Sequence, residues 1–215
     1  MISSAEALDR LRQGNTRFER GELARVLLTN SETRNRLVAE QAPFAVVLGC
    51  SDSRAPAEVV FDQGLGDLFV IRVAGNVVSP SQIASVEFAV ARFGTPLVVV
   101  MGHTRCGAVA ATIEELLLPP ADRSATMHAI VDRIRPAVEV LMDTDIGKNA
   151  EALSYHAIRA NIRLATDHLR HGSRVIEEQI QRDELLIVGA EYSIESGRVD
   201  FFDIPGPYPE GWGTT

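Results

Sequence analysis

The sequence predicts an α/β protein built on a mostly parallel central sheet. Three apolar runs recur along the chain: FAVVLG (44–49), LFVIRVAG (68–75) and PLVVVMG (96–102). Helical segments separate these runs, and continuous Val, Ile and Leu stretches that alternate with helices indicate parallel strands covered on both faces. Right-handed crossovers then place strand 2 on one side of strand 1 and strand 3 on the other.

The last part of the chain predicts the remaining strands. The segment DELLIVGAEYSIESGRVDFFDI (183–204) contains an apolar strand, the turn ESG and an alternating strand. Such a pattern is typical of a hairpin. We therefore expect a strand order of 2-1-3-4 with an antiparallel edge strand 5, and helices over both faces.

The two ends of the chain are expected to differ from this centre. Ala7, Leu8 and Leu11 recur at helical spacing, with Ser3 or Ser4 in place to cap the helix. We expect this helix to lie outside the main fold, within an N-terminal helical arm over residues 1–40. The Pro- and Gly-rich tail PGPYPEGWGTT (205–215) is expected to be flexible. With no internal repeat and no long linker, residues 1–215 are expected to form a single domain.

Composition narrows the possible partners. The net charge of -8 and the pI of about 5.2 argue against nucleic acid and anionic membranes as ligands, because both demand clustered Lys and Arg. No secretory signal follows Met1, and no apolar run is long enough to span a membrane. A cytoplasmic location is therefore expected, and a disulfide between the two cysteines would be unusual there.

Chemically active side chains follow two of the predicted strands. Cys50, Asp52 and Arg54 come directly after strand 1, and the GHTRCGA segment after strand 3 contains His103 and Cys106. The predicted topology brings these two strand ends to one crevice. Thiolates, an imidazole and a carboxylate form a ligand set that suits zinc.

Arg54 leaves two states open for Asp52. If Asp52 is a metal ligand, the site is closed and four-coordinate, as in structural zinc sites. If Arg54 instead holds the carboxylate in a bidentate pair, the fourth position is open to water.

These motifs resemble those of a known family. CSDSR followed about fifty residues later by GHTRCGA, together with AEVVFDQGLGDLFVIRVAGN (57–76) and LLIVGAEYSIESGRV (185–199), is similar to the β-class carbonic anhydrases. The resemblance implies one zinc ion per subunit, held by Cys50, His103 and Cys106. It also implies an Asp52–Arg54 dyad, a homodimer or a larger dimer-based oligomer, and an N-terminal helix that embraces the partner. The substrate-site positions that it implies are Gln41, Phe69, Ala74 and Gly107.

By this resemblance the expected activity is the reversible hydration of CO2 to bicarbonate and a proton. Hydroxide on the zinc would attack CO2, while the dyad orients the zinc-bound water or closes the site. One alternative is a non-catalytic zinc-binding module with Asp52 as permanent fourth ligand. A second is a thiol enzyme that uses Cys50 or Cys106 as its nucleophile. A third is a sister hydrolase that acts on CS2 or COS, which would need the same ligands.

Overall fold

The computed structural model describes residues 2–24 and 30–205. These residues contain one five-stranded sheet of order β2-β1-β3-β4-β5, in which only the β4–β5 pair is antiparallel. The expected strand order and the antiparallel edge strand are therefore confirmed. The strands are β1 (Ala45–Gly49), β2 (Leu68–Arg72), β3 (Leu97–His103), β4 (Leu186–Tyr192) and β5 (Val199–Phe202).

Helices cover both faces of the sheet. They are α1 (Ser4–Glu19), α2 (Ser31–Arg36), α3 (Ala57–Val60), α4 (Pro80–Phe93), α5 (Gly107–Leu117), α6 (His128–Met142), α7 (Ala150–Arg170) and α8 (Arg174–Gln181). Every residue of β1 and β3 is buried, which is why these strands are apolar without alternation. None of the helices among the described residues is both long enough and apolar enough to cross a membrane.

The N-terminal helix differs from its expected position. Ala7, Leu8 and Leu11 are completely buried, and they pack with β1 and β3 residues in the core of one sheet face. Asn15 also binds this helix to the fold, because its side chain donates to Val60 O and Gly197 O and accepts from the Val199 N–H at 2.8 Å. The expectation that this helix lies outside the main fold is therefore wrong, since its apolar stripe covers the chain's own sheet.

The second apolar run leaves the sheet earlier than its composition suggests. β2 ends at Arg72, and Ala74–Asn76 form a short 3-10 turn in which Gly75 has a φ of 69°. This turn brings the backbone of the 73–76 segment back toward the end of β1. The tail expected to be flexible falls, except for Pro205, outside the described residues.

Candidate metal centre

The topology brings the two motif loops together at the carboxyl edge of the sheet. β1 and β3 are parallel neighbours in which Gly49 pairs with Met101. Cys50 follows β1, His103 ends β3 and Cys106 immediately precedes the first residue of α5. One ligand atom from each of these three residues lies within 4.8 Å of the other two. Residues about fifty positions apart thus form one cluster, as expected.

The cluster fits a metal ion by its burial and by an unpartnered nitrogen. Cys50, His103 and Cys106 are only 4%, 0% and 2% exposed. His103 Nδ1 lies 2.9 Å from the carbonyl oxygen of Thr104, so the proton belongs on Nδ1. Nε2 is buried without a hydrogen-bond partner, although buried polar atoms are normally paired. An imidazole nitrogen left bare between two thiols is suited to bind a soft or borderline cation.

The two thiols and the imidazole also influence one another electrostatically. The hydrogen bond from Cys106 lowers the pKa of Cys50, and the same interaction, together with burial, raises the pKa of Cys106. Burial opposes the charged form of His103, but the nearby Cys50 sulfur and the hydrogen bond to the Thr104 carbonyl outweigh it and raise the pKa of the imidazole. The pocket therefore already favours a thiolate, the form of cysteine that binds metal.

Asp52 lies beside the cluster and is held by Arg54. Arg54 Nε donates to Asp52 Oδ1 at 2.9 Å, and Arg54 Nη2 donates to Oδ2 at 2.7 Å. The backbone N–H of Arg54 adds a third bond to Oδ1 at 2.9 Å. The guanidinium holds the pKa of Asp52 well below its usual range. Since Asp52 Oδ2 is 3.8 Å from His103 Nε2, the carboxylate borders the cluster while it remains paired to Arg54.

Sequence reasoning gave no role in this site to Arg72, the last residue of β2. Its Nε donates to the carbonyl oxygen of Cys50 at 3.0 Å, and its Nη2 donates to the carbonyl oxygen of Asp52 at 2.6 Å. The two bonds fix the loop that contains both residues. The sequence signal that pointed to this residue is a cation at the end of an apolar run. In the structure Arg72 pairs in register with Gly49, the residue before Cys50.

The second loop is anchored to the β4–β5 hairpin. Thr104 N–H donates to Tyr192 O at 2.9 Å, and Thr104 Oγ1 donates to Glu195 Oε2 at 2.7 Å. Arg105 has a positive φ of 55° and forms an ion pair with Glu195 at 2.6 Å. These contacts hold the turn that orients His103 and Cys106 toward the same point.

The four expected substrate-site residues separate into two groups. Ala74 precedes Gly75, whose N–H donates to Cys50 Sγ at 3.3 Å, and Gly107 follows Cys106 at the start of α5. Both therefore border the cluster.

Gln41 and Phe69 lie elsewhere in the chain. Gln41 is exposed and precedes the amino end of β1, whereas the cluster follows its carboxyl end. Phe69 pairs in register with Val46, about 10 Å along the sheet from the Arg72 level. Its ring packs near Phe88 and Phe93, with centroid distances of 6.2 Å to each. One chain thus does not bring these two side chains to its own cluster.

The fold and the cluster define a class of α/β protein with a buried thiol–imidazole centre at the carboxyl edge of a parallel sheet. A family model described as carbonic anhydrase matches residues 45–199, well over half of the chain. The carbonic anhydrase of Mycolicibacterium smegmatis is 37% identical over 190 residues, which cover 88% of this chain and 89% of that protein. The chain belongs to the carbonic anhydrase family, in its β class.

Solved structures agree with this assignment. The structure of the β-carbonic anhydrase CcaA has a TM-score of 0.72 and 25% identity, and the match covers 91% of this chain and 95% of that one. A chain from the tetrameric β-carbonic anhydrases of Sordaria macrospora has a TM-score of 0.72 at 23% identity, over 81% of this chain and 87% of that one. The latter similarity supports the fold.

Proposed function

We propose that this protein catalyses the reversible hydration of carbon dioxide to bicarbonate and a proton, at a zinc ion held by Cys50, His103 and Cys106. The observation that carries the proposal is a buried three-donor cluster whose neighbouring carboxylate, Asp52, is bound to Arg54. A purely structural zinc site would use a fourth side chain as ligand. Here the fourth side chain has a competing cation, which supports a catalytic site over a structural one.

Two thiolates and one imidazole suit zinc by softness and by number. When bound, such an ion lowers the pKa of a coordinated water so that hydroxide is available near neutral pH. The residues of the chain supply two further functions: they orient the water and admit an apolar substrate.

The dyad of Asp52 and Arg54 orients the reacting water. Arg54 occupies both carboxylate oxygens, so the Asp52 side chain has one fixed orientation beside His103 Nε2. Because its pKa is depressed, Asp52 stays ionised across the neutral range and accepts a hydrogen bond without taking the proton. Asp52 thereby favours a metal ligand that can donate a hydrogen bond, such as water or hydroxide, over a ligand that has no proton.

The substrate side of the site includes the first turn of α5. The N–H groups of a helix's first turn have no partner within the helix, and the helix dipole attracts negative charge there. A Cβ built on Gly107 would meet no atom within 4 Å, so the space beside this residue is open. Gly107 N–H is therefore suited to receive an oxygen of the developing bicarbonate, and Ala74 contributes a small apolar surface for CO2.

A second copy of the chain would complete the pocket by supplying Gln41 and Phe69. Two features support this arrangement. β2 is an edge strand of the described sheet, and the aromatic group beside it includes Phe88, which is 53% exposed. The N-terminal helix, although packed on its own sheet, would also contact the partner. The tetrameric assembly of the Sordaria macrospora proteins is compatible with a dimer-based oligomer.

The same proposal assigns the protein to the cytoplasm. Cys50 and Cys106 are free, and their sulfur atoms lie within 4.8 Å of each other. A reducing compartment would keep both thiols available for a metal, whereas an oxidising one would favour a disulfide.

Two substitutions test the assignment of roles. Cys106→Ala should abolish tight zinc binding, whereas Asp52→Ala should retain zinc and lose most CO2 hydration. Zinc content and hydration rate are measured on the same samples. Equal loss of zinc in both variants would contradict the dyad assignment, and activity that survives complete zinc removal would indicate a thiol mechanism instead. Parallel assays with CS2 and COS separate the sister hydrolases.

The shared pocket has its own test. Gln41→Ala and Cys106→Ala chains are each expected to be inactive or nearly so as homo-oligomers. Co-expressed and randomly paired, they should recover about one quarter of wild-type turnover, since each mixed dimer has one intact site. No recovery in verified mixed dimers would show that Gln41 does not act across the interface.

A further inference from the structure

A buried amide on α7 reaches the turn that contacts the metal cluster. Asn161 is 2% exposed, and its Nδ2 donates to the carbonyl oxygen of Gly75 at 2.8 Å. The N–H of the same Gly75 donates to Cys50 Sγ at 3.3 Å. One glycine thus connects the amide of Asn161 with the sulfur of Cys50.

Packing restricts this glycine to one backbone conformation. Gly75 has a φ of 69°, in the left-handed region, and a Cβ added there would lie 2.7 Å from Ile134 Cδ1 and 3.0 Å from Ala108 Cβ. Both the backbone angle and the available space therefore require glycine. Glycine is also the most flexible residue, so its peptide groups need partners if the N–H is to stay aimed at the sulfur.

The approach of α7 to β3 is unusually close at this level. A Cβ on Gly102, the residue before His103, would lie 2.6 Å from Ile162 Cδ1. The missing side chain allows Ile162 to contact the strand directly, and it brings the adjacent Asn161 within reach of Gly75. The neighbouring core positions Ile158 and Ile162 are apolar and buried, so packing alone would favour another apolar residue at 161.

We propose that Asn161 is a positioning residue for the metal centre, holding the Gly75 carbonyl so that the Gly75 N–H remains bonded to the sulfur of Cys50. The inference rests on the proposed function in that Cys50 must be a metal ligand. An amide hydrogen bond withdraws electron density from a thiolate, so Cys50 donates less charge to the metal. Asn161 thereby adjusts both the affinity of the site for a metal ion and the Lewis acidity of the bound metal.

The test compares two buried substitutions on one helix. Asn161→Leu removes the bond to Gly75. Thr166→Val is the matched control, because Thr166 is fully buried and bonds to Asp203 Oδ2 at 2.6 Å rather than to the metal site. Zinc affinity is measured by competition with a chromophoric chelator, and the cobalt(II)-loaded proteins are compared by their thiolate-to-cobalt charge-transfer band.

Asn161→Leu is expected to weaken zinc binding by about 10- to 100-fold, the usual effect of losing an outer-shell partner, because the loss of a fixed position for the Cys50 sulfur outweighs the stronger donation from it. Its charge-transfer band should move to longer wavelength, because a thiolate without its hydrogen bond is more easily oxidised. Thr166→Val should leave both quantities at the wild-type values. If Asn161→Leu does not fold, Asn161→Asp keeps the side-chain shape, places an oxygen opposite the Gly75 carbonyl and is read in the same way.

The outcomes distinguish this inference from the proposed function. Wild-type zinc affinity and an unmoved cobalt band in a folded Asn161 variant would overturn the positioning role and leave the proposed function intact. Equal changes in the Asn161 and Thr166 variants would also overturn it, because they would reflect general loss of packing. A wild-type chain that binds no zinc would overturn the proposed function and this inference with it.

Discussion

A zinc chelator should lower the melting temperature of the zinc-loaded protein by roughly 8–16 °C. The buried cluster explains the direction, because without a cation His103 Nε2 is left without a partner, which costs about 1–3 kcal/mol. A ligand at about 1,000 times its Kd stabilises the native state by about 4 kcal/mol. For a protein of this size each kcal/mol corresponds to about 2–4 °C.

The assay is differential scanning calorimetry with zinc and with chelator, on the wild type and on two matched variants. His103→Asn should remove the zinc-dependent difference. His156→Asn makes the same substitution at an exposed histidine outside the cluster and should retain it. A wild-type melting temperature that is the same with zinc and with chelator would refute the reasoning, and so would a full shift in His103→Asn.

Three further substitutions test other parts of the structure. Leu8→Ala should destabilise the protein by about 2–5 kcal/mol in urea unfolding, since Leu8 is completely buried; a loss below about 1 kcal/mol would contradict the packing of α1. Arg159→Met leaves the buried Glu191 without its ion-pair partner and should cost about 3 kcal/mol or more at pH 8. Burial raises the pKa of Glu191, so this cost should shrink in acid as the carboxyl takes up a proton, and a cost independent of pH would contradict the pairing. Arg54→Leu should keep zinc and lose hydration activity by about 100-fold or more, and wild-type turnover in that variant would show that Asp52 needs no such partner.

A further prediction concerns how the CO2 hydration rate of the wild type depends on pH. Arg54 depresses the pKa of Asp52, so the carboxylate form is already complete above the ordinary aspartate range and is lost only as the pH falls through the lower folded value. If the hydration rate declines as the pH falls through the neutral range, the cause must therefore be protonation of the metal-bound hydroxide or movement of Asp52 onto the metal. A pH–rate profile of Asp52→Asn that declines at the same pH as wild type would support the first origin.

The sheet and the three-residue cluster could be predicted because local sequence patterns determine them. Apolar runs such as 97–103 predict buried parallel strands, and two short motifs at their carboxyl ends predict a cluster of Cys50, His103 and Cys106. The position of α1 was not predictable in this way, because the stripe of Ala7, Leu8 and Leu11 shows that one face is buried without showing which surface buries it. The chain's own sheet and a partner's surface satisfy the same helical pattern.

The roles of the supporting residues could not be assigned from the sequence, since these roles depend on long-range geometry. Arg72 and Asn161 act through backbone carbonyls, and such bonds have no motif. The glycine conformations that permit them, such as the φ of 69° at Gly75, become visible only in three dimensions. Likewise, the positions of Gln41 and Phe69 away from the cluster follow from strand register.

The central claim is that a zinc ion at Cys50, His103 and Cys106 hydrates CO2 with the help of Asp52. The most direct test is stopped-flow CO2 hydration over roughly pH 6 to 9, where a metal-bound water is expected to titrate, with zinc content determined on the same sample. The account predicts stoichiometric zinc, hydration that increases with pH, loss of activity on chelation and recovery on addition of zinc. A zinc-replete protein with no hydration at any pH in that range would contradict it.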